Sequence, residues 1–170
     1  MQATTSPRRI GMIGIGLMGH GIASNLVKHG HPLAVLDHPG NQPLDALKAA
    51  GVTTHARASD LAAASDVVIL CVTGSPQVEA VLTGDGGVLQ GLRPGSIVID
   101  CSTALPASTL RMAEAVAKAG GRFLETPMTR TPKEAAERAQ EVAPLLRDLG
   151  GLEAPAQLVE QRPIAVLRGD

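Results

Sequence analysis

Aromatic residues are almost absent from this chain of 170 residues, which holds one Phe and neither Trp nor Tyr. Its core must therefore be built from Val, Ile, Leu, Ala and Met, as suits a parallel sheet that is buried on both faces. Binding of single-stranded nucleic acid relies on aromatic stacking, and binding of a duplex relies on a basic surface. The net charge is −1, and no basic cluster extends beyond Arg8 and Arg9. The composition therefore excludes nucleic acid as a predicted partner.

Cysteine is also scarce, and long apolar runs are missing. Cys71 and Cys101 both fall at predicted strands, so they indicate two reduced, buried thiols in a cytoplasmic protein rather than a disulfide framework. The apolar stretch at residues 10–27 is interrupted by several glycines and by His20, and residues 1–7 lack a signal-type apolar core. We therefore expect no membrane span. The histidines show no ligand spacing, so no metal site is predicted.

The chain instead alternates strand-length apolar runs with helical patterns, which is typical of a doubly wound α/β fold. We predict a Rossmann-type parallel sheet with helices on both faces over residues 1–136, followed by an atypical tail at residues 137–170. Ser59 and Ser75 are predicted N-caps. Predicted strands cover residues 9–15, 33–37, 52–55, 67–72, 96–100 and 122–125, and predicted helices cover residues 18–29, 44–50, 59–64, 75–82 and 106–119.

A G-x-G-x-x-G motif joins the first predicted strand to the first helix at Gly14, Gly16 and Gly19. The first glycine makes the tight turn, the second lets a pyrophosphate approach the backbone, and the third lets the helix pack closely on the strand. Asp37 follows at about the distance of 20 residues that is typical of the acid binding the adenosine ribose. The pattern predicts a nicotinamide dinucleotide site.

Asp37 also bears on the choice of cofactor. Its carboxylate would repel a 2′-phosphate, so NAD is favoured over NADP, although His38 beside it softens that preference and leaves NADP open. An alternative remains in which Asp37 only caps the turn before Pro39 and Gly40.

Three segments resemble the 3-hydroxyacid dehydrogenases, a family that includes 3-hydroxyisobutyrate dehydrogenase and tartronate semialdehyde reductase, with 6-phosphogluconate dehydrogenase as a relative. The segments are GMIGIGLMGHGIASNLVKHGH, VVILCVTGSPQVEAVL and DCSTALP, and the resemblance extends over about residues 9–136. It implies the N-terminal, NAD(P)-binding domain of an enzyme that moves hydride between nicotinamide and a small 3-hydroxy acid.

The same resemblance implies roles for individual residues. Ser102 is implied to bind the substrate carboxylate, together with Thr103, which also contacts the cofactor. On spacing alone, however, these two residues could be only a helix-start turn before Pro106. The implied cofactor-binding residues are Gly14, Ile15, Gly16, Leu17, Met18, Gly19, Asp37, Val72, Thr73, Gln77 and Thr103.

After the sixth predicted strand, the chain departs from the P-V-S-G-G found in many members. It reads Pro-Met-Thr-Arg-Thr at residues 127–131, which resembles the branch that includes sulfolactaldehyde reductases. We expect Thr129, Arg130 and Thr131 to bind the substrate, because a guanidinium can hold a carboxylate or sulfonate with two hydrogen bonds. A small acidic substrate is therefore the predicted partner.

The family's acid/base lysine stands in a second, helical domain that nothing after Glu137 resembles. We therefore assign no residue to proton transfer, and a catalytically inactive dinucleotide-binding module or truncated fragment is the alternative function. Without a covering domain, we also expect self-association through uncovered apolar surface. A methyltransferase that binds S-adenosylmethionine is a weaker third interpretation, because it leaves Ser102 and Thr103 without a role.

Overall fold

The computed structural model describes residues 8–126, which fold as five successive β–α units followed by a sixth strand. The strands are β1 Ile10–Ile13, β2 Leu33–Leu36, β3 Thr53–His55, β4 Val67–Leu70, β5 Ile97–Asp100 and β6 Arg122–Glu125. The helices are α1 Leu17–Lys28, α2 Asp45–Ala49, α3 Ala58–Ala64, α4 Ser75–Thr83, α5 Val88–Gly91 and α6 Pro106–Lys118.

All six strands pair in parallel, in the order β3-β2-β1-β4-β5-β6. This is the order of a doubly wound dinucleotide-binding sheet, so the predicted Rossmann-type α/β fold is confirmed. The order reverses between β1 and β4, because the chain leaves β1 towards β2 and later returns to pair β4 on its other side. Ligands bind such sheets at this switch point, outside the carboxyl ends of the strands.

The core lies on both faces of the sheet and is aliphatic, as the composition predicts. One cluster joins alternate residues of β1, β4 and β5 to the inner face of α1, and the other joins the remaining strand residues to α3, α4 and α6. Phe123, the single aromatic residue, packs in the second cluster. Because alternate strand residues point to opposite faces, each central strand contributes to both clusters and reads as a continuous apolar run.

Several predicted element boundaries are wrong at the carboxyl ends of the strands. The first strand ends at Ile13 and the fourth at Leu70, so the residues beyond them form loops, with Cys71 and Cys101 directly after β4 and β5. The short helix α5 lies between the fourth and fifth strands, where the sequence predicts no helix beyond residue 82. By contrast, the sixth strand matches its prediction, and α6 begins at Pro106 as predicted and ends one residue early.

Both predicted N-caps are wrong. The α3 helix already begins at Ala58, after Arg57, and its N-cap makes no side-chain hydrogen bond. The α4 helix begins after Gly74, and the Ser75 hydroxyl instead accepts a hydrogen bond at 2.8 Å from the backbone N–H of Leu105. That hydroxyl therefore joins the start of α4 to the start of α6.

Residues 127–170 lie outside the described part of the chain, as do residues 1–7. The predicted division at residue 136 and the tail at residues 137–170 therefore stay predictions. Among residues 8–126, no helix combines the length and the hydropathy needed to cross a membrane.

Candidate functional site

Two of the three motif glycines are required by close backbone contacts. Gly14 turns the chain out of β1 at φ +93°, and a Cβ there would lie 2.2 Å from the backbone oxygen of Cys71. A Cβ on Gly19 would lie 1.9 Å from the backbone oxygen of Gly14. The start of α1 therefore packs directly on the glycine turn, and no side chain fits at either contact.

Gly16 differs from these two, because a Cβ placed on it would meet no atom within 4 Å. It is the N-cap of α1, and no side-chain hydrogen bond caps the helix there. The first backbone N–H groups of a helix have no partner within the helix, and together they carry its positive dipole end. Open space in front of such an N-terminus fits a diphosphate.

A cleft of about 740 Å³ opens at the switch point, in front of this helix N-terminus. Its walls are the glycine turn after β1, the loops after β2, β4 and β5, and one side of α4. The residues that line it are Ile13, Gly14, Ile15, Gly16, Leu17, Met18, Gly19, Leu36, His38, Gly40, Asn41, Cys71, Val72, Thr73, Gln77, Ala80, Val81, Cys101, Ser102 and Thr103.

Every predicted cofactor-binding residue except Asp37 lines this cleft, and so does Ser102, which was predicted to bind substrate. Asp37 follows β2 directly, is exposed, and donates its backbone N–H to the oxygen of His55 at 2.8 Å. The adjoining His38 lines the cleft, and its Nδ1 accepts the N–H of Gly40 at 3.0 Å. The turn is thus capped by His38, and the ribose role of Asp37 stays a prediction.

The loops after β4 and β5 are joined by a side chain. The Ser102 hydroxyl accepts the backbone N–H of Val72 at 3.0 Å, and the Ser102 N–H donates to Asp100 Oδ1 at 2.9 Å. Thr73 and Thr103 are exposed at the cleft edge on the same two loops. The arrangement provides hydroxyl groups on two neighbouring strand ends, although the predicted binding roles of these residues remain untested.

Asn41 is a residue of the site that sequence reasoning missed. Its Oδ1 accepts the N–H of Ile15 at 3.3 Å, and its Nδ2 donates to the oxygen of Leu36 at 2.9 Å. It therefore ties the loop after β2 to the glycine turn. The available signal was an Asn in a turn after a strand, where its side chain commonly bonds to backbone.

Both cysteines also line the cleft, but their environment disfavours thiolates. Burial raises the pKa of the Cys71 thiol to about 12 and that of the Cys101 thiol to about 11. The Cys101 sulfur lies 3.3 Å from the Thr126 hydroxyl. Because the thiolate is the nucleophilic form, burial disfavours a nucleophilic role for these cysteines, which form part of the cleft wall. Among the described residues, no group of three or more side chains could hold a metal ion.

The predicted substrate-binding residues Thr129, Arg130 and Thr131 lie outside the described residues. The described part of the site therefore comprises the glycine turn, the loops after β2, β4 and β5 with Ser102 and Thr103, and one side of α4.

Comparison with known sequences decides the family. The family described as the NAD binding domain of 6-phosphogluconate dehydrogenase matches residues 9–144. The chain belongs to this family. The predicted cofactor, NAD with NADP open, and the predicted resemblance to the 3-hydroxyacid dehydrogenases are confirmed by this match together with an enzyme relative and a solved 3-hydroxyisobutyrate dehydrogenase.

Similar proteins include an enzyme and a nuclear factor. The chain is 34% identical over 122 residues to the cytokine-like nuclear factor N-PAC of Xenopus tropicalis, which aligns with 72% of this chain and 23% of that protein. It is 35% identical over 125 residues to 2-(hydroxymethyl)glutarate dehydrogenase of Eubacterium barkeri, which aligns with 71% of this chain and 40% of the enzyme.

Among solved structures, 3-hydroxyisobutyrate dehydrogenase from Salmonella typhimurium superposes with a TM-score of 0.71 at 25% identity. The match covers 87% of this chain and 54% of that enzyme. The chain therefore spans about a quarter to a half of the length of these proteins, and the likeness concerns only part of each of them.

Proposed function

We propose that this domain supplies the cofactor-binding half of an oxidoreductase that transfers hydride between NAD and a small 3-hydroxy acid. The observation that carries the proposal is the uncapped N-terminus of α1, which faces a cleft at the switch point with open space in front of Gly16. A dinucleotide is the ligand class that suits this place in such a sheet. The likeness to 2-(hydroxymethyl)glutarate dehydrogenase supports the reaction type.

The residues present fit this cofactor. Gly14, Gly16 and Gly19 form the cradle for the diphosphate, Asp37 is proposed to bind the adenosine ribose, and Thr73 stands on the proposed nicotinamide side. Ile15, Leu17, Met18, Val72, Gln77 and Thr103 complete the proposed cofactor contacts. When bound, the nicotinamide would supply the hydride chemistry, while the chain binds and orients it.

The test is a titration of the protein with NADH, followed by NADH fluorescence, on the wild type and on Gly16→Ala. Because the new Cβ meets no protein atom, the variant should fold with a loss of less than about 1 kcal/mol at the N-cap. We expect its NADH affinity to fall by about tenfold or more, since the methyl occupies the place of the diphosphate. Lys28→Ala, at the exposed far end of α1, is the matched control.

An unchanged NADH affinity of Gly16→Ala would contradict the proposed diphosphate site. Wild-type protein that is folded and binds neither NADH nor NADPH would contradict the proposed function as a whole.

A preference for NAD over NADP is proposed from the carboxylate of Asp37, which would repel a 2′-phosphate. His38 lines the cleft beside it and would soften that preference. We expect Asp37→Asn to bring the affinities for NADH and NADPH closer together. The same ratio of these affinities in wild type and variant would remove Asp37 from this role.

The substrate is proposed to be a small acid, held by Ser102 and by Thr129, Arg130 and Thr131. The argument is chemical, because Arg binds carboxylate or sulfonate with two parallel hydrogen bonds and Lys does not. In a spectrophotometric assay of NADH formation from NAD⁺ and small hydroxy acids, Arg130→Lys should raise KM for the acid strongly. An unchanged KM would exclude this role of Arg130.

A second candidate function is a dinucleotide-binding module without turnover. It is favoured by the likeness to N-PAC, which is named a nuclear factor, and by the lack of a lysine among those residues of 8–126 that line the cleft. NADH binding without turnover on any hydroxy acid would support the module. Turnover would require an acid/base group from elsewhere, whose loss typically costs about 10²–10⁴-fold in rate.

Self-association is proposed from exposed apolar side chains in α1, in α6 and at the N-cap of α6. Leu17 and Leu105 are each 69% exposed, and Leu110 is 51% exposed. Size-exclusion chromatography that gives a clean, stable monomer would contradict this proposal.

A cytoplasmic location is likewise proposed, from the two free cysteines. Immunofluorescence in the source cell would distinguish it from a nuclear location.

A further inference from the structure

Asp100 is a carboxyl group in an unexpected place. It is the last residue of β5, and its side chain is 0% exposed. Its Oδ1 accepts the backbone N–H of Ser102 at 2.9 Å, whereas its Oδ2 has no hydrogen-bond partner among the described residues. Burial raises its pKa, and the hydrogen bonds from Ser102 oppose that rise. Burying such a group is costly, so its presence calls for a specific task.

Ser102, whose N–H bonds to Asp100, itself links the ends of two strands. In the register of β4 and β5, Leu70 lies opposite Asp100, and the N–H of Cys101 still donates to the oxygen of Leu70 at 2.8 Å. One step further, the Val72 N–H donates at 3.0 Å to the side-chain oxygen of Ser102. Beyond the last backbone hydrogen bond between β4 and β5, the Ser102 hydroxyl thus continues the pairing, at the place where the two loops form walls of the cleft.

Ser102 can hold Val72 only if its own backbone turns in the right direction. Ser102 is 2% exposed, and its N–H points back to Asp100 Oδ1, two residues before it, as in a local Asx-type turn. Asp100 therefore fixes the turn, the turn fixes the Ser102 hydroxyl, and the hydroxyl fixes the Val72 amide. Both Val72 and Ser102 line the proposed cofactor cleft.

We propose that Asp100 is a positioning residue for the cofactor, because it locks Ser102 and, through the Ser102 hydroxyl, the Val72 wall of the cleft. The inference rests on the proposed function in that the ligand positioned is NAD(H). It adds a residue that does not itself line the cleft and that acts on the proposed ligand only through Ser102.

The first measurement is NADH affinity of the full chain, by fluorescence titration, for wild type, Asp100→Ala, Asp100→Asn and Ser102→Ala. Asn keeps the oxygen that accepts the Ser102 N–H, so Asp100→Asn should stay within about threefold of wild type. Ala removes it, and Asp100→Ala should weaken binding by about tenfold. The double variant of Asp100→Ala and Ser102→Ala should lose little more than either single one, since both break the same chain of bonds.

A matched control separates positioning from loss of stability. Asp66→Ala removes a carboxyl group at the opposite edge of the sheet, before β4, where Asp66 bonds to Arg9 and Arg93. It should destabilise the fold and leave NADH affinity unchanged under conditions where every variant is fully folded. If Asp66→Ala weakens NADH binding as much as Asp100→Ala does, or if Asp100→Ala binds like wild type, the proposal is overturned.

The second measurement does not depend on NADH. Hydrogen exchange followed by NMR should show a protected Val72 amide in wild type and Asp100→Asn, with protection lost in Asp100→Ala and Ser102→Ala. Should wild type fail to bind NADH, the proposed function falls, while this pattern would still support the link from Asp100 to Val72. Val72 protection that is unchanged in folded Asp100→Ala would overturn it.

Discussion

The sheet has an amino edge, where its parallel strands begin, and a carboxyl edge, where they end. Buried or half-buried carboxyl groups at these two edges have opposite surroundings. At the amino edge, Asp66 stands just before β4 and receives hydrogen bonds from Arg9 at 2.9 Å and 3.2 Å, and another from Arg93. Arg93 also donates to the backbone oxygen of Ser65 at 3.1 Å. At the carboxyl edge, Asp100 ends β5 without a charged partner among the described residues and bonds to Ser102 alone.

The pKa values follow this contrast. Hydrogen bonds from Arg9, with further bonds from Arg93, hold the pKa of Asp66 well below its usual range, whereas burial raises the pKa of Asp100. The amino edge is closed by charges that tie the starts of β1, β4 and β5 together. The carboxyl edge is left open, with glycine and hydroxyl groups lining the cleft. The ion pairs of Asp66 thus lie at one edge, while the binding cleft occupies the other.

The largest expected effect is on stability and arises at the carboxyl edge. Gly14→Ala forces a Cβ to 2.2 Å from the Cys71 oxygen at a φ of +93° that disfavours any side chain. We expect it to lower the free energy of unfolding by about 3 kcal/mol or more, or to prevent folding. Urea unfolding followed by circular dichroism measures this, with Gly16→Ala as the tolerated control. Equal stability of the two variants would show that the turn is not constrained as described.

A smaller loss is expected at the amino edge. Asp66→Ala removes both ion pairs and the acceptor of the Arg9 backbone N–H. Because the Asp66 side chain is 34% exposed, solvent screens these interactions, and we expect a loss of about 1–2 kcal/mol. The measurement is the urea midpoint at constant slope. A loss below about 0.3 kcal/mol would mean that the cluster lies on the surface without holding the strands.

The two carboxyl groups should also respond to pH in opposite directions. The contribution of Asp66 is complete well above the ordinary Asp pKa of about 4, and it is lost as pH falls through the lowered folded pKa. The raised pKa of Asp100 instead weakens the fold as pH rises past about 4, since the unfolded carboxyl ionises more readily.

Unfolding of Asp66→Asn and Asp100→Asn between about pH 3 and pH 7 tests this contrast. The stability that Asp66→Asn loses relative to wild type should grow as pH rises. The stability that Asp100→Asn loses relative to wild type should shrink as pH rises, or become a gain. Parallel curves for the two variants would contradict the assignment of one charged and one desolvated carboxyl group.

The sequence predicted most of the scaffold and the glycine side of the cleft. Gly14, Gly16 and Gly19 could be assigned because the motif joins a strand to a helix, and only a backbone free of side chains satisfies that geometry. The ends of the strands were less predictable. Apolar residues such as Ile15 and Val72 continue the hydrophobic run, although they already belong to loops that turn away from the sheet.

The link from Asp100 through Ser102 to Val72 could not be read from the chain. Val72 and Ser102 are 30 positions apart, and they meet only because β4 and β5 pair in one particular register. The same holds for Asn41 and Ile15, which are 26 positions apart. Ser75 failed as a predicted cap for a related reason, since its hydroxyl bonds to a distant loop rather than to its own helix.

The smallest expected effect is a difference in salt dependence between the two edges. Raising the salt from 0.1 M to 1 M shortens the screening length from about 10 Å to about 3 Å. Wild type should therefore lose a few tenths of a kcal/mol more than Asp66→Ala, which has no ion pairs left to screen. Asp100→Asn, whose changed group bonds only to a neutral neighbour, should follow wild type. If Asp66→Ala and wild type respond alike, the arginines bind Asp66 through hydrogen-bond geometry rather than through charge. The amino edge would then resemble the carboxyl edge more closely than the opposite pKa shifts of Asp66 and Asp100 indicate.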